Sequence, residues 1–230
     1  MGWDPQTEVT LVPAVIFDMD GVLVDSNPAH FKAWQDFGQR YGIEIDEEIY
    51  HKYINGRRND EFLEELYPGR WSEEERLRIS AEKEAFFREH YVKDVLPVPG
   101  AVAFVENLAR LGIPLALATS APKENAELIT GRLGIARCFS AMVTGHEVKA
   151  AKPDPAIFLE AARRLGVPPS QCVVFEDSPA GVAAAVRAGA RCVALATSVP
   201  AEKLLAEGAR LALADFEGVD AEALLEQAAR

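Results

Sequence analysis

The sequence lacks several features that would place it in particular protein classes. No apolar run approaches the roughly 18 residues of a membrane-spanning helix. The first residues, MGWDPQTEV, contain no basic stretch followed by an apolar one, so we expect no secretory signal. Basic residues are outnumbered: 24 Lys and Arg stand against 36 Asp and Glu, a net charge of −12. This balance disfavours nucleic acid and anionic membranes as partners. A small anion would need a local cation or a metal ion.

Cysteine is also scarce. The three residues Cys138, Cys172 and Cys192 are odd in number and form no CxxC pair. Two of them, Cys172 and Cys192, open apolar runs, which predicts buried free thiols rather than disulfides or metal ligands. Free thiols are typical of a reducing compartment, and we therefore expect a cytoplasmic protein.

What the chain does contain is an alternation of apolar strands and amphipathic helices. From residue 95 onward, short apolar segments alternate with helical patterns of ten residues or so that often end at a glycine. This order predicts βαβ units, and hence an α/β fold with a parallel sheet covered by helices on both faces. The apolar segment 14–17 belongs to the same sheet.

Residues 28–93 interrupt this alternation, because they show helical patterns but no strand of that kind. One of these helices begins at the capping box Ser72–Glu75. The aromatic residues at helical spacing are predicted to form a core within this segment: Trp34, Phe37 and Tyr41. We predict an all-helical cap domain over 27–94, inserted into a core domain made of 1–26 and 95–230.

Polar side chains follow four of the predicted strands. In open α/β sheets, ligands bind beyond the carboxyl ends of the strands. The residues expected there are Asp18, Asp20, Gly21, Thr119, Ser120, Lys152, Glu176, Asp177 and Ser178. Clustered carboxylates cannot all ionise without a cation, and Mg²⁺ is the usual partner of oxygen ligands. A lysine and a hydroxyl beside them would hold a phosphate group.

The pair Asp18 and Asp20 is separated by one residue, so an extended backbone would direct both side chains to one side. One carboxyl group could then attack phosphorus while the other handles the proton. Gly21 allows the chain to turn sharply away. A calcium loop is excluded, because its fifth and sixth positions would be Val22 and Leu23 rather than an oxygen ligand and glycine.

The motifs DMDGVLVDS (18–26), ATS (118–120), KPDP (152–155) and EDSPAG (176–181) occur in this order, each at a strand end or in the loop beyond it. Their order and spacing resemble the haloacid dehalogenase superfamily. The closest resemblance is to its branch with a helical cap after the first strand, which includes β-phosphoglucomutase and many sugar-phosphate phosphatases. The resemblance implies a doubly wound, Rossmann-like parallel sheet with an inserted helical cap.

The resemblance also implies roles for individual residues. Asp18 would be the nucleophile that forms an aspartyl-phosphate, and Asp20 the general acid and base. The implied phosphate-binding residues are Thr119, Ser120 and Lys152. The implied Mg²⁺ ligands are Asp18, the carbonyl of Asp20, Glu176 and Asp177. The family often has glycine before the motif lysine, where this chain has Ala151.

Four residues of the predicted cap stay open as candidates. His30 has the spacing of a histidine that helps to gate the general acid in related mutases, but phosphatases can carry it too. Arg57, Arg58 and Lys83 are candidates for a second phosphate or for sugar hydroxyls. Exposed helix-surface charge is the simpler interpretation of each of these three cations.

These observations predict a Mg²⁺-dependent phosphatase that hydrolyses a small phosphorylated metabolite, a sugar phosphate by resemblance. A phosphomutase of the β-phosphoglucomutase type is the alternative. A phospho-receiver or a catalytically inactive binding protein fits the motifs less well. Dehalogenase chemistry is disfavoured because the branch that performs it lacks the second acid, here Asp20. We expect no nucleic-acid or membrane partner, and a monomer or weak dimer.

Overall fold

Six parallel strands form the main sheet of the protein, which a computed structural model describes over residues 14–229. Residues 1–13 and 230 of the predicted core domain lie outside the described residues. The described residues contain eight strands, of which β2 and β3 form a separate pair: β1 (Ala14–Phe17), β2 (Val24–Asp25), β3 (Leu96–Pro97), β4 (Leu115–Thr119), β5 (Ala141–Thr144), β6 (Cys172–Glu176), β7 (Arg191–Leu195) and β8 (Leu211–Leu213). The order β5-β4-β1-β6-β7-β8 confirms the predicted doubly wound α/β sheet.

Helices cover the sheet on both faces. The α-helices of residues 14–229 are α1 (Asn27–Gly38), α2 (Glu47–Ile49), α3 (Asn59–Leu66), α4 (Glu73–His90), α5 (Ala101–Arg110), α6 (Lys123–Leu133), α7 (Ala156–Leu165), α8 (Pro179–Arg187), α9 (Ala201–Ala206) and α10 (Ala221–Ala229), of which α5 to α10 pack on the sheet. Among residues 14–229, no helix combines the length and the apolar character needed to cross a bilayer.

The central strand shows why its sequence is apolar throughout. Successive side chains of a strand point to opposite faces of the sheet. Val15 and Phe17 pack in one hydrophobic cluster with α5, α6 and α10, whereas Ile16 packs in a second cluster with α7, α8 and α9. All four residues of β1 are buried. The three cysteines are free, and Cys172 and Cys192 are buried, as predicted.

Helices α1 to α4 occupy the segment between β2 and β3, as the helical patterns predict. They enclose a third hydrophobic cluster of their own, which includes Trp34 and Phe37, with Tyr41 packed against it. The capping box at the start of α4 is formed: the Ser72 hydroxyl accepts from the Glu75 amide, and the Glu75 carboxylate accepts from the Ser72 amide. The segment therefore has an apolar core separate from those of the sheet.

Two adjacent chain connections join this helical segment to the rest of the protein. The strands β2 and β3 pair antiparallel, with Val24 opposite Pro97 and Asp25 opposite Leu96. The sequence predicts a stiff proline-rich return at 95–100 but not this pairing, since strands of two residues are too short to show periodicity.

Candidate active site

The loops after β1 and β6 meet where the strand order of the sheet reverses. The two strands are neighbours, and the Asp18 amide donates a hydrogen bond of 3.0 Å to the Phe175 carbonyl. Asp18 follows β1, Glu176 ends β6, and Asp177 comes next. These three carboxylates are buried, and each offers an oxygen within 4.8 Å of the others. The predicted convergence of acids is therefore present.

Gly21 makes the turn that follows Asp18 and Asp20. Its φ of 74° lies in the left-handed region that favours glycine. The amide of Leu23 closes the turn with a 2.8 Å hydrogen bond to the Met19 carbonyl. A Cβ at Gly21 would collide with the side chain of Asp177. Glycine is thus required by the backbone conformation and by the close approach of the acid cluster.

Lys152 lies between two acids of the cluster. Its Nζ donates to Asp18 Oδ1 at 2.7 Å and to Glu176 Oε1 at 2.5 Å, and the side chain is fully buried. Burial opposes the charge of this amine, but the two carboxylates outweigh that effect and raise the pKa of Lys152. The amine therefore stays positive and holds one oxygen of Asp18 in place.

Glu176 has both carboxylate oxygens engaged. One oxygen, Oε1, accepts from Lys152, and the other, Oε2, accepts from the amides of Asp177 (2.8 Å) and Ser178 (2.9 Å) and from the Ser178 hydroxyl. These contacts hold the lysine and the loop after β6. Oε1 accepts a single hydrogen bond, so its second lone pair could join a cation.

Asp177 differs, because one of its oxygens has no partner. Its Oδ2 accepts from the Asn27 amide at 3.0 Å and from the Ser198 hydroxyl. Its Oδ1 is buried and accepts no hydrogen bond from the described residues. A buried carboxylate oxygen left without a donor is unfavourable, and a bound cation would satisfy it.

The pKa values of two acids in the cluster also favour a bound cation. Burial raises the pKa of Asp18 to about 7, although Lys152 opposes this rise, and the charge of Glu176 adds to it. Burial also raises the pKa of Asp177 well above its ordinary range, with Glu176 and Asp18 contributing. Without a cation, burial and mutual repulsion disfavour ionisation of all these acids together. Because they offer only oxygen ligands, a hard divalent cation such as Mg²⁺ suits them.

Asp20 lies beside this cluster and lines a cavity of about 270 Å³. Its Oδ1 accepts from the Ser26 hydroxyl at 2.5 Å, and Nε2 of His30 lies 3.5 Å from the same oxygen. Burial by itself would raise the pKa of Asp20, but these contacts from His30 and Ser26 lower it below its ordinary value. The structure therefore holds Asp20 as a carboxylate.

His30 is positioned in turn by Lys83. The Lys83 Nζ lies 2.7 Å from His30 Nδ1 and donates to Glu84 Oε1 at 2.8 Å. An ammonium group has donors only, so Nδ1 accepts and the imidazole proton resides on Nε2, facing Asp20. Lys83 is buried, which makes the interpretation of this residue as helix-surface charge wrong.

Glu84 was not predicted as a site residue. Its carboxylate accepts from Asn59 at 2.7 Å and from Asn125 at 2.6 Å, in addition to Lys83. Burial raises its pKa, but Lys83, His30 and Asn59 together outweigh that effect, and the pKa falls to about 2. No motif marks Glu84 or Asn125 in the sequence, since their pairing joins α4 to α6.

The two predicted arginines are engaged within the protein. Arg58 forms an ion pair with Asp60 at 2.5 Å, and its Nη1 donates to the carbonyl oxygens of Gly145 (3.3 Å) and Val148 (3.4 Å). Arg57 pairs with Glu65 at 2.6 Å, and its buried Nε has no partner among the described residues. Neither side chain is simply solvated.

The two hydroxyls after β4 are placed differently from each other. Thr119 is buried, and its Oγ1 accepts from the Ala121 amide at 3.1 Å, which leaves its own proton available as a donor. The Ser120 hydroxyl instead donates to the carbonyl of Gly56, in the helical segment, at 2.9 Å. Thr119 is thus free to donate to a ligand, whereas Ser120 joins the two parts of the protein.

The cavity brings most of the predicted residues together. Those that line it are Asp18, Asp20, His30, Arg57, Arg58, Lys83, Thr119 and Ser120. Lys152, Glu176 and Asp177 are not part of the lining; Lys152 contacts Asp18, and the two acids each offer an oxygen within 4.8 Å of an Asp18 oxygen. A lining residue that sequence analysis missed is Asn55, whose side-chain nitrogen is buried and has no partner within residues 14–229.

Comparison with known proteins identifies the family. A model of the haloacid dehalogenase-like hydrolases matches residues 12–189. This chain belongs to the haloacid dehalogenase-like hydrolases. It is 38% identical over 211 residues to the phosphorylated carbohydrates phosphatase of Thermotoga maritima, covering 90% of this chain and 95% of that protein. It is 35% identical over 194 residues to hexitol phosphatase A of Escherichia coli, covering 81% and 83%.

Solved structures of this hydrolase family share the fold. The crystal structure of β-phosphoglucomutase from Clostridium difficile superposes with a TM-score of 0.81 at 27% identity, over 95% of this chain and 97% of that one. The predicted resemblance to the branch that contains β-phosphoglucomutase and sugar-phosphate phosphatases is confirmed.

Proposed function

We propose that this hydrolase is a Mg²⁺-dependent phosphatase of a small phosphorylated metabolite, with a sugar phosphate as the favoured substrate. The observation that carries the proposal is the placement of Asp18 on the cavity lining. One of its oxygens is held by Lys152, and Asp20 lines the same cavity. The similarity to phosphatases of phosphorylated carbohydrates and of hexitols supports the substrate class.

Mg²⁺ would be held by Asp18, Asp177 and Glu176 and by the carbonyl of Asp20. When bound, the ion would supply positive charge that offsets the repulsion between these carboxylates and an incoming phosphate. The unpartnered Oδ1 of Asp177 is the feature of the structure that fits this ion.

The reaction would proceed in two steps. The Asp18 carboxylate attacks phosphorus, the bond from phosphorus to the leaving oxygen breaks, and a protonated Asp20 gives its proton to that oxygen. The negative charge of the bound phosphate raises the pKa of Asp20 for this step. Water then attacks the aspartyl-phosphate, its proton passes to Asp20, and cleavage of the bond to Asp18 releases phosphate.

The helical segment 27–94 would act as a lid over a core formed by 1–26 and 95–230. Its side chains form one wall of the cavity, and the chain enters and leaves it through the paired strands β2 and β3. A lid of this kind admits substrate when open and keeps bulk water from the aspartyl-phosphate when closed.

Hydrolysis is favoured over mutase chemistry by the ion pairs of the three candidate cations in this segment. A mutase must hold a second phosphate group there and needs a free cation for it. The three candidate cations are instead ion-paired with carboxylates: Lys83 with Glu84, Arg58 with Asp60 and Arg57 with Glu65. Arg57 Nε–H has no partner among residues 14–229, and Arg88 lines the cavity with a hydrogen bond to the neutral Asn125, so the mutase is the second candidate to test.

The test has two parts. Phosphate release from p-nitrophenyl phosphate and a panel of sugar phosphates is measured with Mg²⁺ and with EDTA, and we expect turnover only with the metal. In the second part, β-glucose 1-phosphate is supplied with a trace of the 1,6-bisphosphate, and glucose 6-phosphate and free phosphate are followed together. Fast isomerisation with little phosphate released would favour the mutase. Full activity in EDTA would overturn the metal site.

A further inference from the structure

Asn27, the first residue of α1, links the acid cluster to the helical segment. Its Nδ2 donates to Asp177 Oδ2 at 3.0 Å and to the Ser198 hydroxyl at 2.7 Å. Its Oδ1 accepts from the Tyr50 hydroxyl at 3.0 Å. Asn27 is largely buried, and Tyr50 and Asp177 are buried too. One amide therefore contacts an acid on the sheet side and a tyrosine on the helical side.

The orientation of this amide is determined by its partners. A carboxylate only accepts, so the NH₂ group of Asn27 must face Asp177 and the carbonyl oxygen must face Tyr50. Reversal of the amide would set two oxygens against each other. With Oδ2 of Asp177 held by Asn27 and Ser198, the other oxygen, Oδ1, is left as the buried atom without a partner.

Tyr50 belongs to the apolar core of the helical segment. It is buried in the same cluster as Trp34 and Phe37, and its ring packs edge-on against Phe31 with centroids 5.4 Å apart. Movement of the segment away from the sheet would carry this ring with it. Asn27 is the first residue of the same segment, so its side-chain amide would move with Tyr50 and lose its hydrogen bond to Asp177.

We infer that Asn27 and Tyr50 are positioning residues through which the placement of the helical segment sets the Mg²⁺ affinity of the acid cluster. Groups that hold metal ligands in place contribute to metal affinity, and their loss commonly costs about 10- to 100-fold. The coupling is reciprocal, so bound Mg²⁺ favours the arrangement in which Asn27, held by Tyr50, contacts Asp177. This inference rests on the metal site proposed above.

The test is titration of the full chain with Mg²⁺ alone, by calorimetry, without substrate. Tyr50→Phe removes only the hydroxyl and should weaken Mg²⁺ binding about three- to tenfold, and Asn27→Ala should weaken it more, by about 10- to 100-fold. Tyr53→Phe is the matched control. It also removes a tyrosine hydroxyl, three residues after Tyr50 in the sequence, but Tyr53 does not line the cavity. The control should bind Mg²⁺ like the wild type.

The outcomes separate the two proposals. If the wild type does not bind Mg²⁺, the metal site is wrong and the inference is overturned with it. If the wild type binds Mg²⁺ and Tyr50→Phe binds it equally well, the inference alone is overturned. The melting midpoint of each metal-free variant shows whether it is folded. If Asn27→Ala fails to fold, the Mg²⁺ affinity of Tyr50→Phe alone tests the inference.

Discussion

The Nζ of Lys83 lies 2.7 Å from Nδ1 of His30, across 53 positions of sequence. This contact fixes the imidazole proton on the nitrogen that faces Asp20, and it exists only because a lysine is buried in the helical segment. The charge of that lysine is balanced by Glu84. The orientation of His30, which faces the proposed acid and base Asp20, thus depends on the Lys83–Glu84 ion pair.

Breaking this ion pair should destabilise the protein. Lys83→Met leaves Glu84 as a buried charge without its cation, and we expect a loss of about 3–5 kcal/mol in the free energy of unfolding. The double variant Lys83→Met with Glu84→Gln removes both charges and should recover much of that loss. Urea unfolding of the wild type and the three variants forms the cycle. Additive effects of the two substitutions would contradict the pairing.

The same pair predicts how stability depends on pH. The pKa of Glu84 is about 2 in the folded protein, against an ordinary value of 4.5. A lowered folded-state pKa stabilises the fold above pH 4.5, and this contribution disappears as the pH falls from 4.5 toward 2. Its full size is about 3 kcal/mol. Glu84→Gln should show a shallower loss of stability over this window, and equal slopes for the two proteins would exclude the effect.

Asp18→Asn should separate catalysis from folding. The substitution keeps the size of the side chain but removes the attacking charge, so turnover should fall by at least about 10³. Burial and neighbouring acids raise the pKa of Asp18 to about 7, and the neutral amide avoids that electrostatic cost. The melting midpoint of the metal-free variant should therefore equal or exceed that of the wild type. Near-wild-type turnover would rule out Asp18 as nucleophile.

Asn55 offers a test of substrate recognition. Asn55 lines the cavity, and its buried side-chain nitrogen, which has no partner among residues 14–229, is the donor that we expect to meet a substrate hydroxyl. Asn55→Ala should lower kcat/KM for a sugar phosphate about tenfold, which corresponds to about 1.4 kcal/mol for one hydrogen bond. The effect on p-nitrophenyl phosphate, which lacks such hydroxyls, should be smaller. Asn107→Ala, on α5 outside the cavity lining, is the control and should change neither value. Equal losses on both substrates would contradict this role.

Much of the fold and the centre of the candidate site could be predicted from the sequence. Apolar runs of strand length determine β1, β4 and β6, because both faces of a parallel sheet are buried. The acids and the lysine that follow these strands are local in sequence, and the geometry of a parallel sheet brings strand ends together. Asp18, Lys152 and the pair Glu176–Asp177 could therefore be assigned to one site without coordinates.

Only the tertiary structure decided the partners around that centre. The Asn27–Tyr50 and Glu84–Asn125 contacts join residues 23 and 41 positions apart, and no periodicity signals them. A lysine in a helix is ordinarily exposed, yet the packing of α4 against α1 and α3 buries Lys83. Helical spacing shows which residues share a face, whereas the neighbour that covers the face depends on how the helices are placed.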